Sequence, residues 1–226
     1  MRVLLVRSSV HMAGVERVLL WLAQALRSRG TTVGIAALFR TSAPSLLHPL
    51  VVAARAGGVP AWTLSDRGPW DPRLLGTFRG LLRRFRPTLV HTHDYKGDAL
   101  AALLAPTKWV ATAHGYTGED GKVRLYETLD RSLLRRARRV VVPSAYSWGK
   151  LRRFGIPAHR LHVVPHGVDW GQVDAWAAQP MPPKAEEDVR GGPVLTFMGR
   201  HSPEKGGDVL LRALPTLLQE IPTLRV

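Results

Sequence analysis

The sequence contains no cysteine. Disulfide bonds, thiolate zinc sites and a cysteine nucleophile are therefore excluded, and this absence is typical of a reducing compartment. Long apolar runs are lacking as well. The first run, Val3 to Val6, is too short for a signal-peptide core or a membrane span and predicts a first strand. The sequence therefore predicts a cytoplasmic protein, either soluble or peripheral on the cytoplasmic face of a membrane.

Acidic residues are scarce, because 17 Asp and Glu stand against 32 Lys and Arg, and the net charge is +15. The basic residues cluster at Arg83, Arg84 and Arg86, at Arg135, Arg136, Arg138 and Arg139, and at Arg152 and Arg153. Such clusters match anionic lipid headgroups, a phosphorylated acceptor or nucleic acid. At helix C-termini they also complement the helix dipole. No helix-turn-helix pattern and no interleaving of basic and aromatic residues favours nucleic acid, which is the least supported of these partners.

Several catalytic signatures are also absent. The sequence has no Gly-x-Ser-x-Gly element, no Ser-His-Asp pattern and no paired carboxylates near a glycine loop, so hydrolase chemistry is disfavoured. His91 and His93 share one face of a predicted strand, as zinc ligands do. No third ligand has a matching spacing and no Asp-x-Asp pattern occurs, so we expect no metal.

What the sequence does contain is a regular alternation of short apolar strands and amphipathic helices. The predicted strands are 3–6, 33–38, 60–64, 88–92, 109–112, 140–142 and 161–164. The predicted helices are 15–28, 46–56, 72–85, 98–104, 122–137 and 145–154. The fifth helix is expected to bury Val123, Tyr126, Leu129 and Leu133. This alternation predicts an α/β fold with a doubly wound, Rossmann-like parallel sheet.

The composition divides the sequence into three segments. Residues 1–169 are predicted to form an N-terminal Rossmann-like domain, and residues 170–193, rich in Pro, Ala and acidic residues, a linker. Residues 194–226 are predicted to begin a second Rossmann-like domain. It opens with a strand at 194–198 and a helix at 208–220 that Pro215 kinks or shortens. One strand and one helix cannot bury their apolar faces alone, so we expect the sequence to stop within that domain.

A glycine-bearing turn with two cations lies between that strand and that helix. Gly199 ends the apolar run, and Arg200, Lys205 and Gly206 precede the helix. Glycines let the backbone approach a ligand, and the first amides of a helix are free donors at the positive end of its dipole. Arg200 can bind phosphate oxygens with two N–H groups, and Lys205 adds a point charge. The turn therefore predicts a phosphate site, most simply for a nucleotide.

Polar residues also follow the carboxyl ends of the predicted strands, where doubly wound sheets bind ligands. Candidate acceptor or cleft residues are Glu16, His93, Asp94 and His166. His114 is the best catalytic candidate, because a histidine at a strand end can exchange a proton near neutral pH or donate a hydrogen bond to a polar transition state. The alternative for His114 is a histidine that only caps its strand.

Three segments together resemble family-4 glycosyltransferases of the GT-B fold. They are MAGVERVLLWLAQAL, VVPHGVD and GRHSPEKGGDVLLRAL. They are similar to the family's Gly-Gly-x-Glu-Arg, Pro-Asn-Gly-Val-Asp and Gly-Arg-…-Glu-Lys-Gly elements, and TAHGYTG and VHTHDY add to the resemblance. It implies transfer of a sugar from a nucleotide-sugar donor to a hydroxyl of a sugar, lipid or polysaccharide acceptor. Retention of configuration is implied as well, with no cofactor or metal. Two alternatives stay open: a nucleotide-sugar epimerase of the same fold, and a non-catalytic basic module that binds anionic membrane or nucleic acid.

The resemblance also implies residue roles. Arg200 and Lys205 would neutralise the donor diphosphate and stabilise its charge as the glycosidic bond breaks. Gly14 would let the backbone approach the donor, and His114 would lie beside the reacting sugar or the acceptor hydroxyl. Two positions depart from the family pattern, since Ala13 replaces a glycine and His166 replaces an asparagine. Two glutamates of the family would lie beyond Val226, so we expect residues 1–226 alone to have little or no transferase activity.

Overall fold

The computed structural model describes residues 1–40, 47–68, 71–115, 121–181, 192–199 and 205–226, with only the backbone of Pro106 and of residues 121–127. Two compact units form, Met1–Asp169 and Trp170–Val226. The first contains β1 (Arg2–Ser8), α1 (Gly14–Ser28), β2 (Thr32–Phe39), α2 (Pro49–Ala56), β3 (Ala61–Ser65), α3 (Pro72–Phe85), β4 (Leu89–Thr92), α4 (Tyr95–Leu104), β5 (Trp109–Thr112), α5 (Gly121–Leu134), β6 (Arg139–Val142), α6 (Ala145–Arg153) and β7 (Leu161–Val163). The second contains α7 (Trp170–Ala177) and α8 (Gly207–Glu220).

The seven strands form one parallel sheet in the order β3-β2-β1-β4-β5-β6-β7. β1 pairs with β2 on one side and with β4 on the other, so that Val3 lies opposite both Val33 and Leu89. The sheet therefore grows outward in two directions from β1, which confirms the predicted doubly wound fold. In such sheets, the crevice beyond the carboxyl ends of the two strands at the reversal point, here β1 and β4, is the usual ligand site.

Two apolar cores cover the two faces of the sheet, because parallel strands are buried on both sides. Leu4 and Val6 of β1 point into one core, together with residues of α3, α4, α5 and α6. Val3 and Leu5 point into the other, against α1 and α2. The uninterrupted apolar sequence of β1 is thus explained by its central position.

Helix starts follow their capping residues. Asp71 accepts a hydrogen bond from the Arg73 amide, and Pro72 occupies the first turn, so α3 begins where the sequence predicts. The helix predicted at 98–104 instead begins at Tyr95. Asp94 causes this earlier start, because its Oδ1 accepts hydrogen bonds from the amides of Lys96 and Gly97, both at 2.9 Å.

The inward face of α5 differs from the prediction. Leu133 is partly buried against the core, as predicted, but Leu129 is 49% exposed, whereas Asp130 and Leu134 are buried. The side chains of Val123 and Tyr126 lie outside the described ones. The buried face is turned by about one residue because Asp130 bonds to the side chain of Asp98 on α4, a contact that apolar periodicity does not register.

The second unit corrects one prediction: the strand predicted at 194–198 is a single parallel bridge between Val194 and Arg225. Its hydrogen bonds are Leu195 N to Arg225 O at 2.8 Å and Arg225 N to Pro193 O at 3.0 Å. The segment predicted as a linker contains the helix α7. The helix α8 continues through Pro215 to Glu220. The domain boundaries predicted from composition stay a prediction.

The packing around Gly34 gives a stability prediction. A Cβ at this position of β2 would lie 2.8 Å from a ring carbon of Trp62 and 3.0 Å from one of Phe85. Gly34→Ala should therefore lower the free energy of unfolding, measured by urea denaturation, by about 1–3 kcal/mol because the core becomes overpacked. Gly76→Ala is the matched control: its Cβ meets nothing within 4 Å, and it should stabilise α3 by about 0.5–1 kcal/mol. Equal effects of the two changes would contradict this packing.

Candidate functional site

Arg7 joins three elements at the carboxyl edge of the sheet. Its Nε lies 2.8 Å from Oε1 of Glu16, and its Nη1 donates to the carbonyl oxygen of His93 at 3.0 Å. Oε2 of Glu16 accepts a hydrogen bond from the Ala13 amide at 3.0 Å, which stabilises the start of α1. Burial favours the neutral form of Glu16, but the hydrogen bond and charge of Arg7 outweigh it and hold the pKa of Glu16 below its usual value. Arg7 was not among the residues that the sequence pointed to.

Asp94 fixes the end of β1 to the start of α4. Its Oδ2 accepts a hydrogen bond from the Ser8 amide, while Oδ1 accepts hydrogen bonds from the amides of Lys96 and Gly97 in α4. Burial raises the pKa of Asp94, and Arg7 and these amides act against that rise. Because both carboxylate oxygens bind backbone amides, the described contacts of Asp94 are those of a structural link between β1 and α4.

Four histidines form a continuous stack, here called the histidine column: His91, His93, His114 and His166. Neighbouring ring centroids are 4.3, 5.2 and 5.0 Å apart along the column. Nδ1 of His93 lies 3.0 Å from Nε2 of His114, and Nδ1 of His114 lies 3.3 Å from Nε2 of His166. His91 makes a separate bond of 2.7 Å from Nε2 to Oγ1 of Thr112. The sequence predicted three of these residues as site candidates, and the structure brings them into contact.

The column is electrically neutral in its interior. Burial lowers the pKa of His91 to about 4, and burial, with the charges of His166 and Arg7, lowers that of His114 to about 3. The pKa of His93 is well below its usual value, for the same reason and because His91 and His114 adjoin it. His93 is only 3% exposed, whereas His166 is exposed at the outer end. A ligand at this edge therefore meets a neutral His114.

A buried polar chain, which the sequence did not reveal, starts from Thr92, whose side chain points to the face of the sheet opposite to that of His91 because the two residues are neighbours in β4. Nε1 of Trp109 donates to Oγ1 of Thr92 at 2.7 Å, and Thr92 in turn donates to Asp98. Burial and the adjoining carboxyl of Asp130 raise the pKa of Asp98 well above its usual value. The two buried carboxyls therefore destabilise each other's charged form. The burial of Asp98 could have been predicted from its position in the segment DALAALL, where an aspartate precedes a run of alanines and leucines.

A small pocket opens between the end of β5 and α6. Its volume is about 100 Å³, below the roughly 300–1,000 Å³ of complete small-molecule sites. It is lined by Ala113, Gly115, Tyr146, Ser147, Lys150 and Leu151. The pocket has room for one small substituent of a ligand rather than for a whole nucleotide.

The loop before α1 leaves space above Gly14. A Cβ at Gly14 would meet no atom within 4 Å, so packing within the protein does not require glycine there. Close approach of a ligand to the backbone is a physical reason for glycine at such a position. The structure is consistent with the predicted role of Gly14, which stays a prediction.

The predicted phosphate element lies in the second unit. Gly206 is the residue before α8 and has φ of +69°, a conformation that favours glycine. Lys205 is exposed beside it, and a Cβ at Gly199 would lie 3.6 Å from the Lys205 side chain. Arg200 lies outside the described residues. The assignment of Gly199, Lys205 and Gly206 to phosphate binding stays a prediction.

The described ranges contain neither a cluster of metal-binding side chains nor a membrane-spanning helix. Among those residues, no three His, Asp or Glu side chains are arranged to hold a metal ion. None of the helices there combines the length and apolarity needed to cross a membrane.

Solved structures with the same fold include nucleotide-sugar enzymes. HepE of Anabaena, in complex with UDP and glucose, superposes with a TM-score of 0.73 at 17% identity, over 96% of this chain and 58% of that one. The UDP-GlcNAc 2-epimerase of Neisseria meningitidis, bound to UDP-GlcNAc, superposes with a TM-score of 0.63 at 13% identity, over 99% of this chain and 64% of that one. These similarities place the sheet among the Rossmann-like folds of GT-B enzymes.

The family follows from the sequence match. The model of Glycosyltransferase Family 4 matches residues 12–171, and the chain belongs to this family. Phosphatidyl-myo-inositol mannosyltransferase of Mycobacterium tuberculosis is 27% identical over 221 residues, which cover 94% of this chain and 55% of that protein. The mannosyltransferase of the same name from Mycobacterium bovis matches equally. The chain thus spans about half the length of the curated relatives it matches.

The ion pair of Glu16 gives a pH-dependent prediction. Glu16→Gln should lower the free energy of unfolding at pH 7 by about 1.5–3 kcal/mol, because a buried charge-assisted hydrogen bond to Arg7 is weakened. The pKa of Glu16 is depressed in the folded protein, so the stabilisation exists above its unfolded pKa of 4.5. It is lost as the pH falls through the folded value.

Urea denaturation between pH 7 and pH 3 measures this effect. The difference between wild type and Glu16→Gln should shrink below the unfolded pKa of Glu16. Glu220→Gln, at an exposed position of α8, should leave the stability unchanged throughout. A difference that is constant with pH would show that the Arg7–Glu16 charge pair is not its source.

Proposed function

We propose that the chain belongs to a retaining glycosyltransferase that moves a sugar from a nucleoside-diphosphate sugar to an acceptor hydroxyl. The observation that carries the proposal is the family match over residues 12–171, which includes the Gly14 loop and every residue of the histidine column. Because the chain covers 55% of the curated relatives, the activity is proposed for the whole polypeptide. Low activity of residues 1–226 alone stays a prediction.

Each unit, taken by itself, offers groups that suit a different part of a nucleotide sugar. In the first unit, the open space above Gly14 and the neutral, hydrogen-bonding His114 suit an uncharged sugar ring. In the second unit, Lys205 and the amides at the start of α8 suit a diphosphate, and Arg200 adds a bidentate donor by its sequence position. UDP and UDP-sugars in the structural neighbours HepE and the epimerase support a nucleoside diphosphate. The donor needs no metal if these cations neutralise it.

The acceptor is proposed to be a sugar, a lipid or a polysaccharide. The curated relatives are named for transfer of mannose to phosphatidyl-myo-inositol, a phospholipid carrying a cyclic polyol. The pocket between the end of β5 and α6 has the size of one substituent and is lined in part by Lys150, which suits a hydroxyl or an anionic group. An epimerase has weaker support, because its similarity is one of fold at a lower TM-score, whereas the family model is that of a transferase.

Donor binding tests the proposal. Lys205→Ala and Arg200→Ala should each weaken the binding of UDP-glucose, measured by isothermal titration calorimetry, by about 10- to 100-fold, because each removes a charge-assisted contact to the diphosphate. Arg212→Ala is the matched control: it removes a cation of α8 that is paired with Asp208 at 2.6 Å. If both variants bind every nucleotide sugar as the wild type does, the phosphate assignment is wrong.

The basic residues of the first unit are concentrated at one edge of the sheet. In a parallel sheet with antiparallel helices, helix C-termini and strand starts share the amino edge, and here this edge carries exposed arginines and a lysine. They are Arg27, Arg29, Arg55, Arg83, Arg84, Arg86, Lys108, Arg135, Arg136, Arg138, Arg139, Arg152 and Arg153. Several bond to backbone carbonyls, as Arg135 does to Phe154 O. Among the described residues none of them forms an ion pair.

We propose that this amino edge contacts an anionic membrane surface. Met1 and Phe154 lie among the basic residues and are 68% and 39% exposed, which suits an interface of charged headgroups and apolar chains. Because the histidine column lies at the opposite, carboxyl edge, such contact would retain the protein at the bilayer without pressing the site against it.

Vesicle binding tests this surface. Replacing Arg136, Arg138 and Arg139 by Gln should weaken sedimentation with phosphatidylglycerol vesicles by about 100-fold, since each basic residue contributes about 1 kcal/mol near an anionic surface. Replacing Arg17, Arg40 and Arg67, which are exposed at the carboxyl edge, by Gln removes the same charge and should have little effect. Equal partition of the wild type onto phosphatidylcholine and phosphatidylglycerol vesicles at low salt would overturn the proposal, as would a preference for duplex DNA.

A further inference from the structure

His93 is the buried member of the histidine column, and its bonding is incomplete. Its Nδ1 faces Nε2 of His114 at 3.0 Å. Its own Nε2 is buried and has no hydrogen-bond partner among the described residues. The side chain is 3% exposed, so a bound substrate meets it only through His114.

The unpartnered nitrogen decides which atom of His93 carries the proton. A neutral imidazole has one N–H and one lone pair. With the proton on Nδ1, His93 donates to His114 and leaves only a lone pair unpaired at Nε2. With the proton on Nε2, a buried N–H has no acceptor, and orphaned buried N–H groups are rarer than orphaned acceptors. The contacts therefore favour the Nδ1 proton.

The tautomer of His114 follows from that of His93. Because Nε2 of His114 accepts the hydrogen bond from His93, its own proton must reside on Nδ1. That atom lies 3.3 Å from Nε2 of His166, the longest and most exposed contact of the column. The hydrogen bonds thus run in one direction along the column, from His93 to His114 and from His114 to the exposed His166.

The neighbouring groups maintain this arrangement. His91 packs against the ring of His93 but bonds to Thr112 at 2.7 Å, so it does not compete for His114. Arg7 donates to the His93 carbonyl, and its positive charge disfavours a second proton on either ring. Glu16 neutralises part of that charge from α1.

We propose that His93 is a positioning residue that holds the proton of His114 on Nδ1. When a sugar binds, the Nδ1–H group of His114 then donates a hydrogen bond to an oxygen of that sugar instead of to His166. The identity of that ligand rests on the proposed function. The proton arrangement of the free protein does not depend on it.

Two substitutions separate the donor at Nδ1 from the packing of the ring. The amide nitrogen of asparagine is as many bonds from Cβ as Nδ1 is, so His93→Asn keeps a donor near that place. His93→Phe keeps an aromatic ring and removes the donor. His159→Asn changes an exposed histidine outside the column and serves as the control.

Nitrogen NMR of histidine-labelled free protein reads the tautomer directly. At neutral pH, long-range ¹⁵N–¹H correlations should show His114, assigned by the loss of its signals in His114→Asn, with its proton on Nδ1. His93→Asn and His159→Asn should keep this tautomer, and His93→Phe should give a mixture of the two. An Nε2 proton on His114 in the wild type would overturn the proposal, even if the Phe variant failed to fold. An unchanged spectrum in folded His93→Phe would also overturn it.

Ligand titration then tests the consequence for binding. His93→Phe should weaken UDP-glucose about three- to tenfold, the effect of one neutral hydrogen bond, and leave the affinity for UDP unchanged. Equal weakening of both ligands would contradict the predicted contact with the sugar. If the wild type binds neither ligand, the proposed function fails, while the tautomer measured in the free protein still decides the role of His93.

Discussion

The guanidinium of Arg7 is the contact on which the geometry of the whole carboxyl edge depends. It stands at the end of β1, the strand from which the sheet grows in both directions, and binds the carboxylate of Glu16 and the carbonyl of His93. Through these two bonds the start of α1 and the end of β4 are held at fixed distances from β1. The positions of the Gly14 loop and of the histidine column therefore depend on the contacts of Arg7.

At this edge, the buried ionisable groups are either paired with an opposite charge or kept neutral by burial. Arg7 is paired with the buried carboxylate of Glu16. Its positive charge adds to the effect of burial, which lowers the pKa of His93 and of His114. Burial and the adjoining carboxyl of Asp130 likewise raise the pKa of Asp98 well above its usual value. The histidine column therefore offers a ligand uncharged hydrogen-bonding groups, and they suit hydroxyl groups better than phosphates. The cations suited to phosphate are predicted near Lys205.

The sequence allowed the sheet and most helices to be predicted because their signals are local. Asp71 and Pro72 mark the start of α3, and the apolar run of β1 marks a strand buried on both faces. The inward face of α5 could not be predicted, because Asp130 is buried only where α4 presents Asp98. The column was predicted as separate histidines, since the pairing of residues 21 and 52 positions apart depends on the order of the strands. Arg7 was missed because a basic residue at a strand end is indistinguishable, in sequence, from a solvated one.

The separation of charge along the strands gives the first unit a large permanent dipole moment. The basic groups of the amino edge form no ion pairs among the described residues, whereas at the carboxyl edge Glu16 and Asp66 pair with Arg7 and Lys96. In the field near a negatively charged surface, the molecule would rotate to face it with one edge before any contact is made. This torque decays within a Debye length of about 8 Å at physiological salt. Ionic strength should thus govern the orientation of encounters and not only their frequency.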